Sequence, residues 1–272
     1  MIVCAVSTGT SAGKLFVAGV VPGVLLALVL MDVTFVIARR KGFPTLPRAS
    51  AAEIWRSFRE AFWGLLLVAI VMGGIYGGVF TPTEAAAVSA VYAFVAAVFI
   101  YRDLKPRYVF RVLLAAANTS AMLLYIVTNA VPFSYLLTSE QIPQAISAWV
   151  TSSDLSPWMF LMAVNLMRLA AGQFMEPSSI VLVLAPLFLP IAESLGIDPY
   201  HPGIIMTVKM EIRMIHPPVG LNLFVASHLA RMGLTEVSIA CLPWVGVMLL
   251  YLLLVTYVPQ VALFLPDLLG MR

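Results

Sequence analysis

The chain has 272 residues, of which 61% are hydrophobic and only 11% charged, and its mean hydropathy is +0.99. A soluble domain carries about 25% charged residues, so this composition excludes a water-soluble globular protein and points to an integral membrane protein. The formal net charge of +3 is not a nucleic-acid footprint, because the basic residues gather in two loops that fit a membrane topology.

In chain order, Met1-Ile2-Val3-Cys4 lacks a basic lead and the apolar stretch is interrupted by Ser7-Thr8-Gly9-Thr10-Ser11, so it does not read as a signal peptide. Thr8 to Leu15 resembles a phosphate loop at a glance. It fails in detail: three residues separate Gly9 from Gly13, Leu15 stands where Ser or Thr is needed, and no strand precedes it. ATP binding is therefore excluded, which favours an ion-driven process. Runs 15–38, 64–80, 85–101, 112–137 and 239–265 are long enough to span or nearly span a bilayer core, which takes roughly 20 helical residues. The alternation expected of a β-barrel is absent.

Ten of the sixteen Lys and Arg residues fall in two stretches, Arg39 to Arg59 and Arg102 to Arg111, whereas 112–167 has none. The positive-inside rule makes the two basic loops cytoplasmic and the region around 138–157 external. Trp55, Trp63, Trp149 and Trp158 flank the spans as interfacial aromatics do.

Residues 39–63 form a linker in which Ser50 and Glu53 make a capping box. The box opens an amphipathic helix with the stripe Ile54, Phe58 and Phe62, expected to lie on the cytoplasmic face. Thr81-Pro82-Thr83-Glu84 is a second capping box. Glu84 reads either as its cap or as an ion or gate residue, with Thr81 beside it. Gly73-Gly74-Ile75-Tyr76-Gly77-Gly78 and Gly19 to Gly23 give small-xxx-small pairs expected at close helix–helix contacts.

Two segments carry broken-helix signals. One is Gly172-Gln173-Phe174-Met175-Glu176-Pro177-Ser178-Ser179, which leads into the short apolar run 180–192 with Pro186 and Pro190. It fits a re-entrant hairpin; the competing arrangement is a kinked spanning helix beginning near 158. The other is His216-Pro217-Pro218-Val219-Gly220. Adjacent prolines cannot continue a helix, and unwound backbone at membrane depth survives only where protein buries it or where it lines a polar cavity. Paired breaks near the midplane are how secondary transporters build their sites. Carbonyls, with the hydroxyls of Ser178 and Ser179, suit a dehydrated Na⁺, and exposed helix N-termini suit a carboxylate. Glu176 in an apolar setting reads as functional or as a cap on the following half-helix. Asn222, and Thr8, Gly9 and Thr10, complete the candidate set for cation and substrate binding. Lys209 and Arg213 share a helix face and need partners or water within a bilayer, and Glu211 lies between them.

Cys4 and Cys241 match neither metal nor redox spacing and read as small apolar residues. His201, His216 and His228 lack metal-site spacing, and no protease or lipase motif appears, so an enzyme is not expected. A shift of 221 residues pairs Ala5 with Ala226, Pro22 with Pro243 and Val24 with Val245, a weak sign of an internal repeat.

At Gly74 to Ala87, Phe174-Met175-Glu176-Pro177, Leu195 to Pro199 and Pro217 to Ala226, the chain resembles the large membrane subunit of tripartite ATP-independent periplasmic (TRAP) transporters, the DctM-like family. The resemblance runs essentially end to end. It implies an all-α polytopic bundle with broken helices, a re-entrant hairpin and inverted repeats, working as an elevator. The implied divisions are 1–38, the end of a first repeat; 39–63, the linker; and 64–272, a second repeat with a hairpin about 172–195 and a broken helix about 203–230. It implies one Na⁺ site at Gly172, Glu176, Pro177, Ser178, Pro217, Pro218 and Gly220. Lys209, Arg213 and His216 stand where the family usually has Asn, Gly and Thr, and family members extend further at the N-terminus, so the first hairpin is expected to be missing.

The implied function is Na⁺-coupled uptake of an organic acid, a C4-dicarboxylate or similar carboxylate, across the bacterial inner membrane, with no cofactor beyond the coupling ion. The implied partners are a small membrane subunit, a periplasmic binding protein and the lipid bilayer, with no nucleic acid. The alternatives are a truncated scaffold or remnant that does not transport, and an elevator carrier independent of a binding protein.

Overall fold

The computed structural model describes every residue except 45–46, 153–155, 173–176, 218–219 and 271–272. The described elements are helical: α1 (Ile2–Thr8), α2 (Ala12–Lys41), α3 (Ala51–Tyr76), α4 (Pro82–Val95) with a π-turn at Ala96–Ile100, α5 (Pro106–Ser139), α6 (Ile142–Ser152), α7 (Pro157–Ala171), α8 (Pro177–Ser194), α9 (Tyr200–Ile215), α10 (Leu221–Ala230), α11 (Leu234–Tyr257) and α12 (Gln260–Leu268). Among the described residues, five helices are long and apolar enough to cross a membrane by length and composition: α2, α3, α4 with its π-turn, α5 and α11. The chain divides into two units, Met1–Ile37 with Leu124–Arg272, and Ala38–Leu123.

The first unit has a protein core. α9 packs on α8, α10, α11 and α12, and α8 also packs on α1, α6 and α7. Leu15, Ile191, Ile204, Ile212, Leu223 and Val255 are fully enclosed. Polar ties cross this core. The Tyr251 hydroxyl donates to the Pro22 carbonyl at 2.6 Å, and His201 Nε2 lies 2.8 Å from the Val255 carbonyl. Gly203 admits Leu15: a Cβ there would meet Leu15 Cδ1 at 2.8 Å.

The second unit is held differently. Ala85 and Ala96 are its buried residues among those described. The Tyr92 hydroxyl donates to the Trp63 carbonyl at 2.9 Å and Tyr101 to the Glu60 carbonyl at 2.8 Å, tying α4 and the π-turn to α3. Both capping boxes form as the spacing requires. Ser50 Oγ accepts from the Glu53 amide at 3.3 Å while Glu53 Oε2 accepts from the Ser50 amide at 2.8 Å, and Thr81 and Glu84 repeat the arrangement.

Three sequence expectations need correction. The amphipathic segment and the span at 64–80 are one continuous helix, α3, because a lone Gly64 is too weak a breaker to divide it. The span expected at 239–265 is two helices: Pro259 has no N–H to give the ladder and disfavours helix at Val258. The run 180–192 lies in α8, which continues as one helix through Pro186 and Pro190. The glycine pairs are not helix–helix seams throughout. Gly74 makes room for the Phe80 ring and Gly19 for the Met1 side chain, with Ile204 further off, while Gly73 and Gly23 face open space.

Candidate functional site

The two sequence breaks meet at one cavity inside the first unit. α7 runs from its N-cap Ser156 to Gly172, and α8 resumes at Pro177. α9 ends at Ile215; His216 turns extended (φ −87°, ψ 128°), and α10 begins after Gly220. Gly172 and His216, one from each break, both line a cavity of about 30 Å³. Arg168 and Leu169 of α7, Ile180 and Val181 of α8, and Met206, Lys209, Met210, Ile212 and Arg213 of α9 complete its described lining. That volume is close to one water molecule's share of the liquid.

Glycine is required at both breaks by space. A Cβ on Gly172 would meet the Arg168 carbonyl at 2.9 Å and Arg213 Cδ at 3.4 Å. A Cβ on Gly220 would meet the carbonyls of Met214 at 2.8 Å and His216 at 3.0 Å. The final carbonyls of α9 have no helical donors of their own, and the Gly220 backbone closes onto them.

The cavity is lined by basic side chains. Lys209, 7% exposed, donates to the carbonyls of Val164 at 3.3 Å and Asn165 at 3.1 Å. Asn165 is fixed in turn: its amide donates to Thr256 Oγ at 2.8 Å, and Thr256 donates to the Leu252 carbonyl at 2.7 Å. Arg168, 6% exposed, lies with its guanidinium 5.2 Å from the Phe188 ring centre. Its Nε and Nη2, and Asn165 Oδ1, have no hydrogen-bond partner. Arg213 and His216 are half-buried and engaged in interactions of their own, His216 Nδ1 with the Pro217 carbonyl among them.

Of the residues proposed from sequence, Gly172 lines this cavity, with Pro217 and Gly220 in the adjoining break. Glu176 and Pro218 lie outside the described residues, as do the side chains of Pro177 and Ser178, whose backbone opens α8. Ser179 is half-buried in the first turn of α8, and Asn222 is exposed in the first turn of α10. Thr8, Gly9 and Thr10 are not among the described lining. Thr8 Oγ1 donates to the Cys4 carbonyl at 2.7 Å, lies 2.9 Å from Thr10 Oγ1, and closes the end of α1 with Gly9 at φ 68°. The Glu84 carboxylate accepts from both the amide and the hydroxyl of Thr81, which is the geometry of a cap. Among the described residues no group of His, Cys, Asp or Glu is arranged to hold a transition metal.

Arg168 was not proposed from sequence. A signal was present, since an arginine within an apolar helix is expensive unless it has a task. Its pairing with Lys209, forty-one positions on, has no local spacing to reveal it.

Comparisons with known proteins match the chain along most of its length. Residues 1–261 match the family described as "Tripartite ATP-independent periplasmic transporter, DctM component". The chain is 58% identical over 264 residues to a C4-dicarboxylate TRAP transporter large permease protein of Rhodobacter capsulatus, covering 97% of this chain and 60% of that protein. A protein of the same description from Pseudomonas aeruginosa is 56% identical over 271 residues, covering 100% and 64%. A sialic acid TRAP transporter large permease protein of Vibrio cholerae is 35% identical over 268 residues, covering 98% and 63%. The chain thus spans 60–64% of the length of these relatives. With its apolar helices, the broken α9–α10 pair and the family match across residues 1–261, the chain belongs to the DctM component family of TRAP transporters and is a multi-pass protein of the bacterial inner membrane.

Proposed function

We propose that this chain forms the ion- and substrate-handling part of a permease that takes up an organic acid, a C4-dicarboxylate or similar carboxylate, driven by Na⁺. The observation that carries the reading is the meeting of two helix breaks, at Gly172 and at His216–Gly220, on one cavity. Carbonyls gathered around Gly220 suit a dehydrated cation, and the cationic lining suits an acid. The TRAP relatives similar to this chain include large permeases named for C4-dicarboxylates, which supports that substrate class. Delivery by a periplasmic binding protein and completion by a small membrane subunit follow from the same family. A gradient is sufficient to drive uptake, because one charge crossing 100 mV supplies about 2.3 kcal/mol.

The test is uptake of labelled succinate into proteoliposomes holding the permease and its small subunit. Uptake is expected to need both a Na⁺ gradient and the binding protein; uptake that ignores both overturns the reading. A second reading, a membrane scaffold that does not transport, is favoured by Lys209 and Arg213 beside the α9 break. Calorimetric detection of Na⁺ binding to the permease counts against it.

A further inference from the structure

We propose that Arg168 and Lys209 form a buried anion site that receives a single carboxylate group end-on. The argument starts from the guanidinium. Nε and Nη2 lie on one edge of its plane with their N–H bonds parallel, the arrangement that matches the two oxygens of one carboxylate. In this protein that edge is the part left without a partner. The side chain is 6% exposed and lines the cavity, so an acceptor for that edge has to come from the cavity itself. The Phe188 ring, 5.2 Å from the guanidinium carbon, holds it by a cation–π contact.

Lys209 supplies the second basic group. Its ammonium has three N–H bonds; two are given to the Val164 and Asn165 carbonyls, and one remains. Arg213 and His216 face the same cavity, and neither Asp nor Glu occurs among its described lining. Two charges buried side by side without an anion are unfavourable. A purely structural role, bonding two carbonyls midway along α7, accounts for Lys209. It leaves the Arg168 edge unexplained.

Geometry narrows the ligand. The parallel Nε and Nη2 edge matches the two oxygens of one carboxylate, so the acid binds through one end. The assignment of that carboxylate to the transported acid rests on the function proposed above; the anion chemistry does not.

The experiment uses the purified permease in nanodiscs, in low-salt buffer without Na⁺ or binding protein, with succinate and chloride titrated separately and binding read from the shift in thermal midpoint. Succinate is expected to raise the midpoint and chloride to compete with it. Arg168→Leu is expected to weaken succinate roughly tenfold to a hundredfold, the worth of a charge-assisted hydrogen bond. Arg168→Lys keeps the charge and loses the parallel edge, so it should still bind several-fold more weakly; it also serves where Arg168→Leu does not fold. Unchanged succinate affinity in both variants overturns the site. A midpoint raised by chloride that succinate neither adds to nor displaces overturns its assignment to a carboxylate. Succinate binding that persists while uptake ignores Na⁺ and binding protein sinks the coupled-transport reading alone. No succinate binding to the unsubstituted permease, with coupled uptake intact, sinks this site alone.

Discussion

The two units are both built from apolar helices and are stabilised in different ways. Met1–Ile37 with Leu124–Arg272 encloses a contiguous core through α8, α9 and α11, whereas Ala38–Leu123 buries Ala85 and Ala96 among its described residues. Leu65, Val68, Val91 and Phe94 are exposed in the second unit although they are as hydrophobic as Ile212 and Val255 in the first. In water such a surface would be a liability. In a bilayer, lipid tails are as apolar as leucine and association of helices must come from packing and polar ties. The difference teaches that apolar composition locates the membrane but not the protein core, and that the second unit depends on caps and tyrosine-to-carbonyl bonds where the first depends on close packing.

The strongest way to break that comparison is truncation in each unit. Ile212→Ala empties a fully enclosed position and should lower stability by about 2–5 kcal/mol, read from the thermal midpoint of the purified permease. Leu65→Ala, at a position 51% exposed, should stay within about 0.5 kcal/mol. Equal losses at both positions would mean that the second unit has a core after all.

The next effect concerns the polar tie across the first unit. Thr256→Val removes the acceptor of the Asn165 amide, whose Oδ1 has no partner, and should cost about 1–3 kcal/mol. The pair Asn165→Leu with Thr256→Val should recover part of that loss, because replacing both partners removes the stranded donor. A double variant as destabilised as the sum of the two would show that the contact is not the source.

Gly220→Ala sharpens the same unit at its break. The new Cβ would meet backbone atoms at 2.8–3.1 Å, none of which can rotate away. Stability should fall by about 1–3 kcal/mol, and labelled-acid uptake should fall by more than that loss explains. Normal uptake would separate the α9–α10 break from the transport site.

The smallest effect belongs to the second unit. Thr81→Ala removes the N-cap of α4 and should cost about 1 kcal/mol, with Thr81→Ser close to the parent. Uptake should follow stability. A collapse of uptake with little change in the midpoint would make Glu84 a gate and not only a cap.

Much of the fold was legible because its signals are local. The Ser50–Glu53 and Thr81–Glu84 boxes form as spaced, and the Pro217-to-Gly220 stretch separates α9 from α10. The errors arose where a local signal was weaker than its surroundings. The amphipathic helix opened by Ser50 runs on into the span at 64–80 as one helix, α3. The site was legible in part: Gly172 reached the cavity, Thr8 to Thr10 did not, and Arg168 went unnoticed.

The sequence by itself determined that this is a membrane protein, where most of its helices lie, and where two of them are interrupted. A helix in lipid must satisfy its own backbone hydrogen bonds, so hydropathy, capping residues and Pro or Gly spacing suffice for those questions. Only the tertiary structure decided which apolar faces meet protein within this chain and which stay exposed, since protein core and lipid ask for the same side chains. It alone placed Arg168 of α7 and Lys209 of α9 on one cavity, because that meeting depends on how helices distant in sequence pack, and no short-range pattern encodes it.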